Sequence, residues 1–209
     1  AAGRSGGSSS SRGSSSSSST GGGVLAQSVC PYRALGRRRR VRPFRLDVRP
    51  VTNGEYLAFA QETGRETPHW MFRHGFDDPQ QPVVGVQYAD AAAFARWAGK
   101  RLPSAREWMR AARGDDGRTF PWGEGYPEAG HAHFDQGQHG APAPVLHGSG
   151  RPGGAGPFGH LDLAGNVWEW CAEGVLMGGF WGSKNLCLDN HLRPSRGERS
   201  AGYGFRCAL

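Results

Sequence analysis

GHLDLAGNVWEW, residues 159–170, brings two carboxylates, two glycines, an asparagine and two tryptophans into one short run. The glycines argue against a good helix, and the charges make the run too polar for a core strand of period two. Asp162 and Glu169 stand on either side of a glycine turn. Such a turn is either a bend whose acids accept backbone hydrogen bonds, or a cradle around something positive.

Upstream of it the chain reads as ordinary secondary structure. VRPFRLDVRPVTNGEYLAFAQETG (41–64) predicts a short strand around Phe44 to Val48 and then a helix. Thr52 and Glu55 have capping-box spacing, Tyr56, Leu57, Phe59 and Ala60 give an apolar face, and Gly64 is a C-terminal stop. Val83, Val84 and Val86 predict a second short strand. Asp90 is the expected cap of a helix that carries Ala91, Phe94 and Ala95 and ends at Gly99; Ser104 with Glu107 opens another that carries Trp108 and Ala111. Beyond Gly114 helical periodicity disappears, and residues 115–209 read as turns, loops and short strands. Two to three helices on small antiparallel sheets, with a largely irregular C-terminal half, make an α+β fold. Loops that long in a compact domain are usually functional or metal-braced.

Composition supports a loop-rich single domain with a tail: 34 glycines and 14 prolines in 209 residues exceed average usage, which disfavours a helical bundle. Residues 1–40 open with a serine and glycine tract that buries too little apolar surface to offset its ordering entropy. A disordered tail and basic linker over 1–40, then a domain over 41–209, is the expected division. The net charge of +7 is concentrated in that linker, with RRRR at 37–40, so a solvated linker is expected rather than a specific nucleic-acid partner. No apolar run is long enough for a membrane-spanning helix, and the N-terminus lacks the apolar stretch of a signal peptide. The four cysteines, Cys30, Cys171, Cys187 and Cys207, are too widely spaced for a zinc site.

Four blocks together resemble the formylglycine-generating enzyme, or sulfatase-modifying factor, family: RPVTNGEYLAF (49–59), PVVGVQYADAAAFARWAGKRLPSAREWMRAARG (82–114), LDLAGNVWEW (161–170), and GGFWGSKNLC with GYGFRC (178–187 and 202–207). The resemblance covers residues 41–209 and implies a C-type-lectin-like fold. It also implies a structural calcium ion held by the side chains of Asp162 and Glu169 and the backbone carbonyls of Gly165 and Val167. Oxygen donors around a flexible bend suit that ion.

The same resemblance implies oxidation of a sulfatase cysteine to formylglycine by oxygen and a copper(I) ion on two cysteines, with a cysteine-containing protein or peptide as partner. Soft thiolates suit copper(I). Here Ser183 stands where the first cysteine is expected, and Cys187 falls one position short of the second, so the copper-binding pair is incomplete. Ser183 and Cys187 are the candidate catalytic residues, with Trp168, Trp181 and Asn185 as candidate substrate-binding residues. The cysteines implied as disulfide partners are Ala95 and Ala112 in this chain, which leans toward a reducing compartment. Two alternative readings accompany the enzyme: a non-catalytic lectin-like binding module, as in retroelement variable proteins, with the 178–200 region as contact surface, or an accessory module of the iron-dependent sulfoxide synthase type. No HxxxH pair supports a helical iron site. His131 and His133 are two apart, where a strand would let both reach one metal.

Overall fold

A computed structural model describes residues 41–137, 139–145 and 152–209; the expected tail and basic linker, 1–40, lie outside the described residues. Three α-helices come first. Helix α1 (Asn53–Thr63) begins with the expected capping box, in which the Thr52 hydroxyl accepts from Glu55 N–H and the Glu55 carboxylate accepts from Thr52 N–H; it stops at Gly64 with φ 67°. Helix α3 (Ala105–Arg113) opens the same way on Ser104 and Glu107. Replacing either cap by alanine removes an acceptor that the first turn cannot supply for itself.

Helix α2 (Tyr88–Trp97) differs from expectation at its start. Its N-cap is Gln87, with no side-chain cap, and Asp90 lies inside the first turn. The Asp90 carboxylate is instead used at long range, pairing with Arg65 at 3.4 Å and Arg199 at 2.7 Å. An acid in the first turn still favours the helix through its dipole. Neither expected valine or Phe44-to-Val48 strand forms. Those segments lie extended and make scattered backbone bonds, such as Val83 N–H to Val51 O and Asp47 N–H to Cys207 O.

The sheet comes late in the chain: β1 (Trp168–Trp170), β2 (Leu176–Met177), β3 (His191–Leu192) and β4 (Tyr203–Gly204), in the order β3-β2-β1-β4. The β1–β2 and β2–β3 pairs are antiparallel and β1–β4 is parallel. So the WEW segment is a strand after all, and a wholly buried one. Alternation explains how. Trp168, Trp170 and Leu176 join the core formed with α1, α2 and Phe205, whereas Met177, the register partner of Glu169, joins a second core with Trp108, Leu163 and Leu188. A strand buried on both faces has no place for a solvated carboxylate. Glu169 needs a partner inside the protein.

Candidate functional site

That partner is Arg206, in the GFRC block. Both side chains are fully buried, and Arg206 Nε and Nη2 donate to the two Glu169 oxygens at 2.6 and 2.7 Å. Trp108 Nε1 donates a third bond at 2.8 Å. The remaining guanidinium N–H groups reach Asp47 O, Val48 O and Leu161 O, so the one side chain ties the N-terminal segment, the loop before β1, and β1 itself. A bidentate guanidinium–carboxylate pair with its other donors occupied is the geometry in which a buried ion pair is tolerated.

The four-donor calcium set implied by resemblance does not fit these residues. Glu169 already has its charge neutralised and accepts three hydrogen bonds, and a divalent ion beside it would face a guanidinium at bonding distance. The positive field is felt nearby: burial first, and then the Arg206 charge, lower the pKa of His160. Asp162 is buried on a left-handed backbone at φ 58°. Gly165, at φ 80°, approaches the segment around His133 so closely that a Cβ would lie 2.5 Å from His133 O. Its N–H donates to Gly178 O. Val167 is buried just ahead of β1.

Gly178 and Gly179 form the turn into the candidate catalytic segment, with φ 101° and 83°. Gly178 needs its missing side chain as well, since a Cβ would lie 2.9 Å from the Trp108 ring. After them the chain closes a tight loop. Ser183 N–H donates to Phe180 O, and the Ser183 hydroxyl accepts from Phe180 N–H at 3.1 Å. Ser183 O and Trp181 O in turn accept from Asp135 and Gln136, and Asn166 O accepts from Trp181 N–H. The Ser183 hydroxyl is therefore a turn-closing group. Cys187 lies half-buried on the same segment, one residue short of the position that the resemblance gives the second ligand. The bis-thiolate copper site does not fit this pair, because one of its two positions offers a hard hydroxyl already in use.

Cys171 and Cys207 are free but buried. Burial, followed by the charge of Glu169, pushes the Cys171 thiol well up, and burial pushes Cys207 up to about 12. Neither supplies a thiolate near neutral pH.

Trp168 and Trp181 are 8% and 7% exposed and meet at one place: Trp168 N–H donates to Gly202 O, and Trp181 Nε1 to Ala201 O. Trp168 belongs to the first core, whereas Trp181 continues an aromatic row through Phe76 to Trp70. Asn185 lies exposed on the loop beyond, beside exposed Lys184. His131 and His133 do not converge on a metal: His131 stacks on Trp122, and His133 Nε2 bonds Ala141 O.

Two residues that carry this region escaped the sequence reading. Arg206 was hidden in GFRC, where its place between the core residues Phe205 and Cys207 was the only signal. Asn166 is fully buried at φ 60°; its side chain both accepts from Ala143 N–H and donates to Ala143 O, completing a ladder where no strand exists.

Among the described residues no helix is long and apolar enough to cross a membrane. Residues 16–209 match the family model for a sulfatase-modifying factor enzyme 1-like domain. The chain is 33% identical to the formylglycine-generating enzyme of Streptomyces coelicolor, over 81% of this chain and 79% of that one. It is 32% identical to the hercynine oxygenase of Mycolicibacterium smegmatis, over 62% of this chain and 37% of the relative. The solved structure of PvdO from Pseudomonas aeruginosa superposes with a TM-score of 0.61 at 27% identity, over 79% of this chain and 80% of that one. With the capped helices, the WEW strand and the GFRC arginine all in place, the chain belongs to the sulfatase-modifying factor family.

Proposed function

We propose that this chain is a protein- or peptide-binding module built on the family scaffold and does not carry out copper-dependent oxidation of cysteine to formylglycine. The observation that carries this reading is the state of the candidate catalytic pair. The Ser183 hydroxyl closes the 180–183 turn, so the first of the two ligand positions holds no thiolate. What survives is the frame: the glycine turn, the aromatic row ending at Trp181, and a largely exposed stretch over 189–200 that includes β3. Rigid aromatic groups beside small polar residues suit contact with another chain. The test is incubation of purified protein, with and without prior reduction, with a CxPxR peptide, copper(I) and oxygen. No peptide aldehyde is expected; catalytic aldehyde formation in either arm would overturn the reading.

The Glu169–Arg206 pair leads to a second expectation, about metal. On this reading the guanidinium occupies the electrostatic role that the resemblance assigned to calcium, and the fold stands without the ion. Thermal unfolding in excess calcium and in excess chelator should then give the same midpoint. A site that bound calcium would add about 2.7 kcal/mol at a hundredfold excess over its dissociation constant, and a midpoint that drops in chelator would refute the ion-free fold.

A further inference from the structure

The strand β3 (His191–Leu192) forms one open edge of the sheet, and both of its residues are exposed. On an antiparallel edge strand, alternate residues turn their N–H and C=O outward, where an extended chain can pair with them. The loop that follows, RPSRGERS (193–200), carries three arginines against one glutamate. Their environments differ. Arg199 is held, with Nη2 on Asp90 at 2.7 Å and Nη1 on Gly85 O at 2.9 Å. The single acid, Glu198, accepts from the Tyr203 hydroxyl. Arg193 and Arg196 have no acidic partner among the described residues, and both are exposed.

Two of the cations around this loop are held in place by rings. The Arg196 guanidinium lies 4.5 Å from the centre of the Tyr88 ring, and that of Arg73 lies 4.7 Å from the Trp70 ring. These pairs flank the same stretch: Tyr88 N–H donates to Arg196 O, while Trp70 packs against Gly85, whose N–H donates to Ser200 O. A guanidinium stacked on a ring keeps its donor edge outward and loses little further freedom when it binds a carboxylate. The stacking also separates two classes of anionic partner. A nucleic acid would use free aromatic faces for its bases, but here one face of each ring is already covered by arginine. A carboxylate-bearing chain needs the donor edges and the strand edge, and both are available.

We infer that the outer edge of β3, together with Arg193 and Arg196, is a docking surface for an extended acidic segment of a partner protein. The inference rests on the binding-module reading and names the class of partner. Backbone pairing along β3 supplies affinity without regard to sequence, and the arginines select for Glu and Asp side chains. A segment bearing arginine, as in CxPxR, meets like charge at this edge.

The test is fluorescence anisotropy on the full chain with four labelled probes: a short Glu- and Asp-rich peptide, a Lys- and Arg-rich peptide of the same length, the acidic peptide with alternate backbone nitrogens methylated, and an oligothymidylate. The acidic peptide should bind, with affinity that falls as salt is raised. The basic peptide should bind at least about tenfold more weakly, and the methylated one should lose a similar factor. In the double variant Arg193→Glu/Arg196→Glu, with its circular dichroism spectrum unchanged, affinity should fall by at least about tenfold. Equal binding of both peptide charges, tighter binding of the oligothymidylate, an unaffected double variant, full binding of the methylated probe, or no binding of the acidic peptide would each overturn the inference. None of these outcomes generates an aldehyde, so failure here is distinguishable from failure of the non-oxidising reading.

Discussion

Arg206→Met is expected to cost about 3–5 kcal/mol of folding stability, because it strands a fully buried carboxylate. The arginine meets Glu169 through two bonds and three backbone carbonyls through the rest. Methionine fills much of the same space but leaves the Glu169 charge with only the Trp108 donor, and leaves the Asp47, Val48 and Leu161 carbonyls without that donor. Urea unfolding monitored by tryptophan fluorescence reads the loss as a lower midpoint. The companion double variant Arg206→Met/Glu169→Leu removes both charges and should recover most of the stability, since replacing a whole buried pair by apolar groups is often neutral or better. A single variant within about 1 kcal/mol of the parent would mean that water or another cation reaches Glu169, and the closed-pair account would fail.

Gly165→Ala should be the next most damaging change, at about 2–5 kcal/mol. Two independent costs meet there. At φ 80° a residue with a Cβ is strained by about 1–2 kcal/mol, and that Cβ would lie 2.5 Å from the backbone oxygen of His133. A backbone oxygen cannot swing aside as a flexible side chain can. The bridge between His133 and Gly165 must open, and overpacking of this kind costs about 1–3 kcal/mol more. Asn166, which bonds His133 O and Ala143 from the next position, would shift with it. The control is Gly64→Ala, at a similar φ but with nothing near its Cβ; it should show the strain alone. Equal losses at the two positions would show that the close approach to His133 carries no cost.

Legibility in the sequence followed the range of the interactions. Both capping boxes and the Gly64 stop were readable, because a cap is decided within four residues. The α+β class and the family were readable from ordered blocks. The start of α2 was misplaced because Asp90 has the composition of a cap but answers to Arg65 and Arg199, far off in the chain. The strand at WEW was rejected on polarity, and polarity was the wrong measure once Arg206 lay across from it. That partner is 37 residues away, and no local pattern announces it. The site was legible in part. The Ser183 and Cys187 positions could be located from the resemblance alone, whereas the hydroxyl's role in its turn and the stacking of Arg196 on Tyr88 depend on tertiary contacts.

The distance between Glu169 and its arginine has a consequence for biosynthesis. A ribosome adds roughly 5–20 residues per second, so the acid is made roughly 2–7 s before the base that lets it enter the interior. During that interval the two tryptophans beside it have no stable home, and a nascent chain stalled between the two residues would present an oily, charged ribbon to its surroundings. The cell has reason to translate that interval without pausing, or to shield it with a chaperone.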